Sequence, residues 1–288
     1  MAFSLRKYAN LVSITLKQPK RSARIPKASD LVHVHFGAEA NAGNYNVELY
    51  RRQDVRDILR VYETLYQDHR AITNPWEHGW QIIAKPGKPN WDRLVDAGKI
   101  NFYDEVHKAG DRYDSEILPA AKAKNGALFA EAVYLSAEQW IESWQLVEGV
   151  RPVPESGDLR HTLGQKEIDR VKGELGDLHR DAVKDVYGRL HGLVSDSATA
   201  LSRYGNVPKA QLPEATVQTN LADFVAALDG LNLPGEDGKK DETLTALATE
   251  ITNAVLVPNF EDLKSDKGAR DEAAGKVAKI ADKLAGLV

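Results

Sequence analysis

Lys17, Lys20, Arg21, Arg24 and Lys27 fall within one short stretch, Lys17-Gln-Pro-Lys-Arg-Ser-Ala-Arg-Ile-Pro-Lys27, that contains no acid. Arg6 and Lys7 precede them, and Asp30 is the first carboxylate of a chain whose formal net charge is −4. Pro19 and Pro26 each remove a backbone donor and restrict φ, which predicts an extended loop rather than a helix. Ammonium and guanidinium groups on such a solvated loop can hold phosphate oxygens with no further machinery. A basic loop that only keeps the surface wet has the same composition. A second set of cations follows at Arg51, Arg52 and Arg56. Arg52, Arg56 and Arg60 are spaced four apart and line up on a helix, with Asp54 and Asp57 close enough to pair with part of that charge.

Catalytic patterns are missing. No Gly-x-x-x-x-Gly-Lys-Ser/Thr, Gly-x-Gly-x-x-Gly or Gly-x-Ser-x-Gly run occurs. His33 and His35 would share one face of a strand and could chelate a metal, but no third ligand accompanies them. His161, His179 and His191 are 18 and 12 residues apart and share no ligand turn. Asp104-Glu105 and Asp271-Glu272 are neighbours that point apart on a helix. Nothing assembles a nucleophile, a base and an orienting group, so the expectation is a protein that is not an enzyme and uses no cofactor or metal. Trp76, Trp80 and Trp91 lie in loop-like surroundings, where an indole either stacks on a base or pins the loop to the core.

The elements that must carry these residues are legible from periodicity. Leu11 to Lys17 alternates, with Val12, Ile14 and Leu16 opposite Ser13, Thr15 and Lys17, which predicts a half-buried strand ending at the basic loop. Leu31 to Phe36 alternates again, and Tyr45 to Tyr50 suits a third strand after a Gly/Asn/Ala-rich loop. From Gln53 the period becomes helical: Val55, Ile58, Leu59, Tyr62, Leu65 and Tyr66 form an apolar stripe. Asn74-Pro75-Trp76 ends that helix. Trp80 to Ala84 suits a short strand, and Lys85 to Trp91 reads as another Pro/Gly/Lys loop. Helical patterns follow over 102–117 and 127–148, the latter divided by the capping box Ser136-Ala-Glu-Gln139, with Trp140 and Trp144 in the core. Gly149 to Gly157 holds two prolines and is the best candidate boundary. Beyond it, Leu159 to Tyr204 is helical in pattern, although glycines at 164, 173, 176, 188 and 192 argue against one unbroken helix. Further amphipathic segments cover 214–229, 241–256 and 271–287.

Together these predict an α+β chain, predominantly helical, with a small N-terminal antiparallel sheet. Residues 1–150 would form a mixed nucleic-acid-binding region and 151–288 a helical region suited to oligomerisation or partner binding. Charge and aromatic content shift at the same place: 1–150 carries +1 and all five tryptophans, 151–288 carries −5. No apolar run is long enough to span a bilayer, the Met-Ala-Phe-Ser-Leu-Arg-Lys start lacks a secretory apolar block, and there is no cysteine. A cytoplasmic protein with no membrane partner is expected.

A strand, a basic loop, the Asp30-Leu31 step, an Arg-rich amphipathic helix and the Asn74-Pro75-Trp76 turn follow one another over roughly residues 1–150. This layout resembles the Drc-type single-stranded-DNA-binding RNA polymerase cofactors of podoviruses that carry a virion RNA polymerase. The resemblance implies a preference for single-stranded DNA, recruitment of a phage RNA polymerase to melted promoters, and residence in the host-cell cytoplasm. Site positions come from charge alone: Lys17, Lys20, Arg21, Arg24, Lys27, Arg51, Arg52 and Arg56 as phosphate ligands. A virion or scaffold component, whose long helices make subunit contacts, is the rival expectation.

Overall fold

The computed structural model describes residues 4–25, 33–35, 46–154, 165–235 and 237–288. Lys27, and the remainder of the Leu31 to Phe36 stretch around His33–His35, lie outside the described residues. Strands are β1 (Ala9–Lys17), β2 (Ser22–Arg24), β3 (Asn46–Glu48), β4 (Asn74–Pro75), β5 (Gln81–Ala84) and β6 (Gln145–Pro152). The larger sheet has the order β4-β5-β1-β6, and β2 pairs with β3 in a separate ribbon. Helices are α1 (Arg56–Ala71), α2 (Lys88–Asp111), α3 (Leu118–Asn125), α4 (Ala137–Glu142), α5 (Gln165–Arg203), α6 (Asn220–Leu231), α7 (Glu242–Ile251), α8 (Phe260–Ser265) and α9 (Lys267–Ala285). The α+β, predominantly helical class is as expected. No helix among the described residues is long and apolar enough to cross a membrane.

The chain separates into two compact units, each built from more than one stretch of sequence. One unit comprises Met1–Ser13, Asp68–Asp92 and Gly149–Val288; the other comprises Ile14–Gln67 and Arg93–Glu148.

In the first unit β1 pairs antiparallel with β5, Ala9 opposite Ala84 and Val12 opposite Gln81. Leu11, Val12, Ile82 and Ile83 are all fully buried, so this part of the sheet is covered on both faces. Asn74 Nδ2 donates to the Leu231 carbonyl at 2.9 Å and so closes the end of α6. Helix α5 is one continuous helix of 39 residues, contrary to the expectation from its glycines. The reason is packing: Val186, Leu190, Val194 and Leu201 are buried against α9, whose Ala273, Val277, Ile280 and Leu284 are buried in the same cluster. Burying those side chains outweighs a cost of about 1 kcal/mol per glycine. Arg189 of α5 reaches the C-terminus of α1, donating to the Arg70 carbonyl at 2.9 Å and to Asn74 Oδ1 at 2.7 Å.

One loop expectation is corrected here, and an open choice about the tryptophans is decided. Lys85–Gly87 is a 3-10 turn that leads directly into α2, with Pro86 and Pro89 in first-turn positions where no backbone donor is missed. Trp91 is fully buried and Trp76 is 8% exposed, so both pin backbone to the core. Trp80 is half-buried, with the Arg151 guanidinium 4.1 Å from its ring centre.

Trp91 Nε1 donates to His69 Nδ1 at 2.8 Å, which puts the proton of the neutral imidazole on Nε2. Burial pushes the His69 pKa down to about 4, with the neighbouring Arg70 charge acting in the same direction. The unfolded chain therefore takes up this proton first as pH falls. His69 contributes its stability in full above about pH 6.5 and loses it as pH drops toward 4, on the order of 3 kcal/mol in all. Urea unfolding of the protein and of His69→Gln between pH 7 and pH 4 is expected to show a steeper loss for the native chain. Parallel pH profiles would refute the assignment.

The second unit is built around aromatic rings. Trp140 and Trp144 are 2% and 1% exposed, as expected of core residues, with ring centres 5.6 Å apart. Tyr50 meets both, at 6.2 Å and 6.4 Å. Tyr113 and Phe102 complete the cluster. The capping box forms: Gln139 N donates to Ser136 Oγ and Ser136 N to Gln139 Oε1, each at 3.2 Å. Helical structure does not run on to residue 148, however. Helix α4 ends at Glu142, and 145–152 is strand β6, because pairing with the sheet overrides a local pattern that fits either state. His33 to His35 is helical rather than extended, so the two imidazoles do not share a face. Among the described residues no cluster of metal-ligating side chains occurs.

Candidate nucleic-acid interface

The described part of the basic loop, residues 17–25, is held at several points. Lys17 closes β1; Pro19 is buried and its carbonyl accepts the Tyr50 hydroxyl at 2.8 Å. Burial raises the Tyr50 pKa to about 12, so this phenol remains a donor at any physiological pH. The same ring sits in the aromatic core, which makes Tyr50 the post to which the loop is tied. Two residues on, the Leu49 amide donates to the Arg21 carbonyl at 2.8 Å. The β2–β3 ribbon then sets Ser22 opposite Glu48 and Arg24 opposite Asn46. Alternation turns Val47 inward with Ile25, against Leu128, Ala130 and Val133, and leaves Ser22 and Arg24 exposed.

These contacts bring the two predicted sets of cations together. Residue 50 is fastened at Pro19, and Arg51, Arg52 and Arg56 follow immediately as a 3-10 turn (Arg52–Val55) passes into α1. Lys17, Lys20, Arg24, Arg52 and Arg56 are exposed and make no ion pair among the described residues. Arg21 and Arg51 are engaged differently. Arg51 grips Asp54 through Nε at 3.1 Å and Nη2 at 2.6 Å, while the Asp54 carboxylate also accepts the Arg51 amide. That bidentate pair raises the Arg51 pKa and serves to start the helix. Arg60 is likewise turned to Asp57, at 3.3 Å.

Arg21 Nε and Nη2 reach Glu48 Oε1 at 3.1 and 2.7 Å, and Lys124 of α3 binds Glu48 Oε2. Asn125 Nδ2 donates to the Glu48 carbonyl at 2.8 Å. The Lys124 contact and then the Arg21 contact hold the Glu48 carboxyl below its usual pKa, against a smaller effect of burial. Sequence reasoning does not single out Lys124 or Lys122. Their signal, two lysines two residues apart in Lys122-Ala-Lys124-Asn125, is too common to stand out, and only the fold carries them to the ribbon.

One carboxylate thus bridges a guanidinium and an ammonium, as a phosphate oxygen pair could. Glu48→Gln is expected to free both cations. Affinity for single-stranded DNA at 0.1 M salt should rise about tenfold and the salt slope steepen by about 1.4, two further counterions being released. The fold should tolerate the change, since exposed pairs contribute roughly 0–1 kcal/mol each. A salt titration of binding reads both numbers, and an unchanged slope would show that Arg21 and Lys124 take no phosphate.

Chemically the arrangement can neutralise a string of anions. The donors come from a strand end, a loop, a ribbon and a helix start. Comparison of the chain with protein-family models, curated proteins and solved structures returns no match.

Proposed function

We propose that this protein binds single-stranded DNA through the face formed by Lys17, Lys20, Arg24, Arg52 and Arg56, without catalysing a reaction. The observation that carries the reading is that these five exposed cations, none in an ion pair among the described residues, are fixed on backbone tied together at Tyr50 and the β2–β3 ribbon. Exposed cations gathered on one face raise the local positive potential and draw in a polyanion. Their irregular placement suits a flexible sugar–phosphate strand better than a groove read by one helix. Arg21 and Lys124 lengthen the track once Glu48 yields them. By its layout over residues 1–150 the protein further acts as a phage-encoded cofactor that brings an RNA polymerase to melted promoters.

Gel-shift titration of single- and double-stranded oligonucleotides of one sequence tests the first statement. Binding of the single strand at lower protein concentration, with affinity falling steeply in salt, is expected. Absence of binding to either form at low salt overturns it, and an assembly role for the long helices then takes its place. Co-sedimentation of the phage polymerase with the protein on bubble templates, compared with closed duplex, tests the second.

A further inference from the structure

Tryptophans 76 and 91 are committed to the core, so a strand held by the cations needs another surface for its bases. Within the same unit as those cations, Phe129 and Tyr134 are stacked, ring centres 4.6 Å apart and planes 26° from parallel. Both are half-buried, unlike the enclosed rings of Tyr50, Tyr113, Trp140 and Trp144. The pair is joined directly to the basic ribbon. Asn125 Nδ2 donates both to the Tyr134 hydroxyl at 2.9 Å and to the Glu48 carbonyl at 2.8 Å, while Glu48 holds Arg21 and Lys124. The Lys122 ammonium lies 5.6 Å from the centre of the Phe129 ring. Leu128, Ala130 and Val133, on either side of Phe129 and before Tyr134, pack on Ile25 and Val47 and so fix the segment to the ribbon.

We infer that Phe129 and Tyr134 form the base-stacking platform of the single-strand site, an inference that rests on the function proposed above. A partly exposed, prestacked pair offers a nucleobase a flat apolar surface whose ordering cost is already met by the fold. Lys122, whose ammonium lies over the Phe129 ring, and Lys124 place positive charge beside the pair for the adjoining phosphates, and the Tyr134 ring is left to meet the base. Stacking of this kind accepts any base, because every base has a π-face. It therefore gives affinity for unpaired DNA without sequence choice, and none for paired DNA, whose bases are already stacked on one another.

Three variants and two ligands test the inference. Phe129→Leu and Tyr134→Leu keep apolar bulk and remove the ring; Tyr134→Phe keeps the ring and removes the hydroxyl. Each is titrated with an oligothymidylate and with an abasic oligomer of the same length, after thermal unfolding has confirmed a native transition. The expected result is about tenfold weaker binding of the oligothymidylate by the two leucine variants. Tyr134→Phe should stay close to the native chain, and every variant should bind the abasic oligomer with unchanged affinity and salt slope. Equal losses on both ligands would mean a structural role and would overturn the platform. So would unchanged oligothymidylate binding, in which case the cation face would stand alone. Failure of the native protein to bind either ligand would instead overturn the proposed function itself.

Discussion

Alanine placed together at Lys17, Lys20, Arg24, Arg52 and Arg56 is expected to lower affinity for single-stranded DNA by about three orders of magnitude at 0.1 M salt. The same change should flatten the plot of log affinity against log salt by about 3.5, the amount for five phosphate contacts on a single strand. All five side chains are exposed and none holds an acid among the described residues, so stability should move by less than about 0.5 kcal/mol per substitution. The positions that carry structure give the contrast. Arg51→Ala removes the bidentate partner of Asp54 at the cap of the 52–55 turn that leads into α1, so its loss should appear in the unfolding midpoint as well as in binding. Fluorescence anisotropy with a labelled oligonucleotide across a salt series measures both affinity and slope. A slope unchanged in the five-alanine variant would remove the basic face from the mechanism altogether.

The second large effect concerns stability. Gly87→Ala is expected to destabilise the first unit by about 3 kcal/mol or more. A Cβ at Gly87 would overlap the Cα of Gly230 in α6, with the Gly230 amide nitrogen at 2.8 Å and Ile83 Cδ1 at 3.3 Å. The obstacle is backbone, so no rotamer change relieves it and α6 itself must shift off the 85–87 turn. The same substitution has the opposite sign elsewhere. At Gly192, in the middle of α5, an added Cβ would have no neighbour within 4 Å, and Gly192→Ala should stabilise by up to about 1 kcal/mol through helix propensity. Chemical unfolding of both variants reads the pair of signs. A neutral Gly87→Ala would mean that α6 does not lie against that turn.

Much of the local structure is legible in residue order. The alternation over Leu11 to Lys17 predicts β1 because side chains of a strand face opposite ways every second residue. The stripe from Val55 to Tyr66 predicts α1 by the 3.6-residue period, and Ser136 with Gln139 marks the start of α4 by the hydrogen bonds its two side chains make. The basic loop is visible as composition. Expectations fail where local pattern and long-range packing compete. Lys85 to Trp91 looks like a loop because prolines are counted as breakers, yet two of them occupy helix first turns. The Trp144 to Pro152 stretch has no period that separates strand from helix, and the sheet decides it.

The candidate site divides in the same way. Sequence by itself determined that cations would be concentrated at Lys17–Lys27 and Arg51–Arg56, that prolines would keep the first group out of a helix, and that no familiar catalytic motif accompanies them. Only the tertiary structure decided which of those cations have their charge taken up at home. Arg21 and Arg24 are three residues apart and both exposed, yet one is paired with Glu48 and the other makes no ion pair among the described residues. The Glu48–Lys124 contact joins residues 76 apart in the chain. A local period reports which face a side chain occupies, whereas a charge pair depends on which distant segment that face meets, and that is settled by burying Val47, Ile25 and the aromatic core around Tyr50.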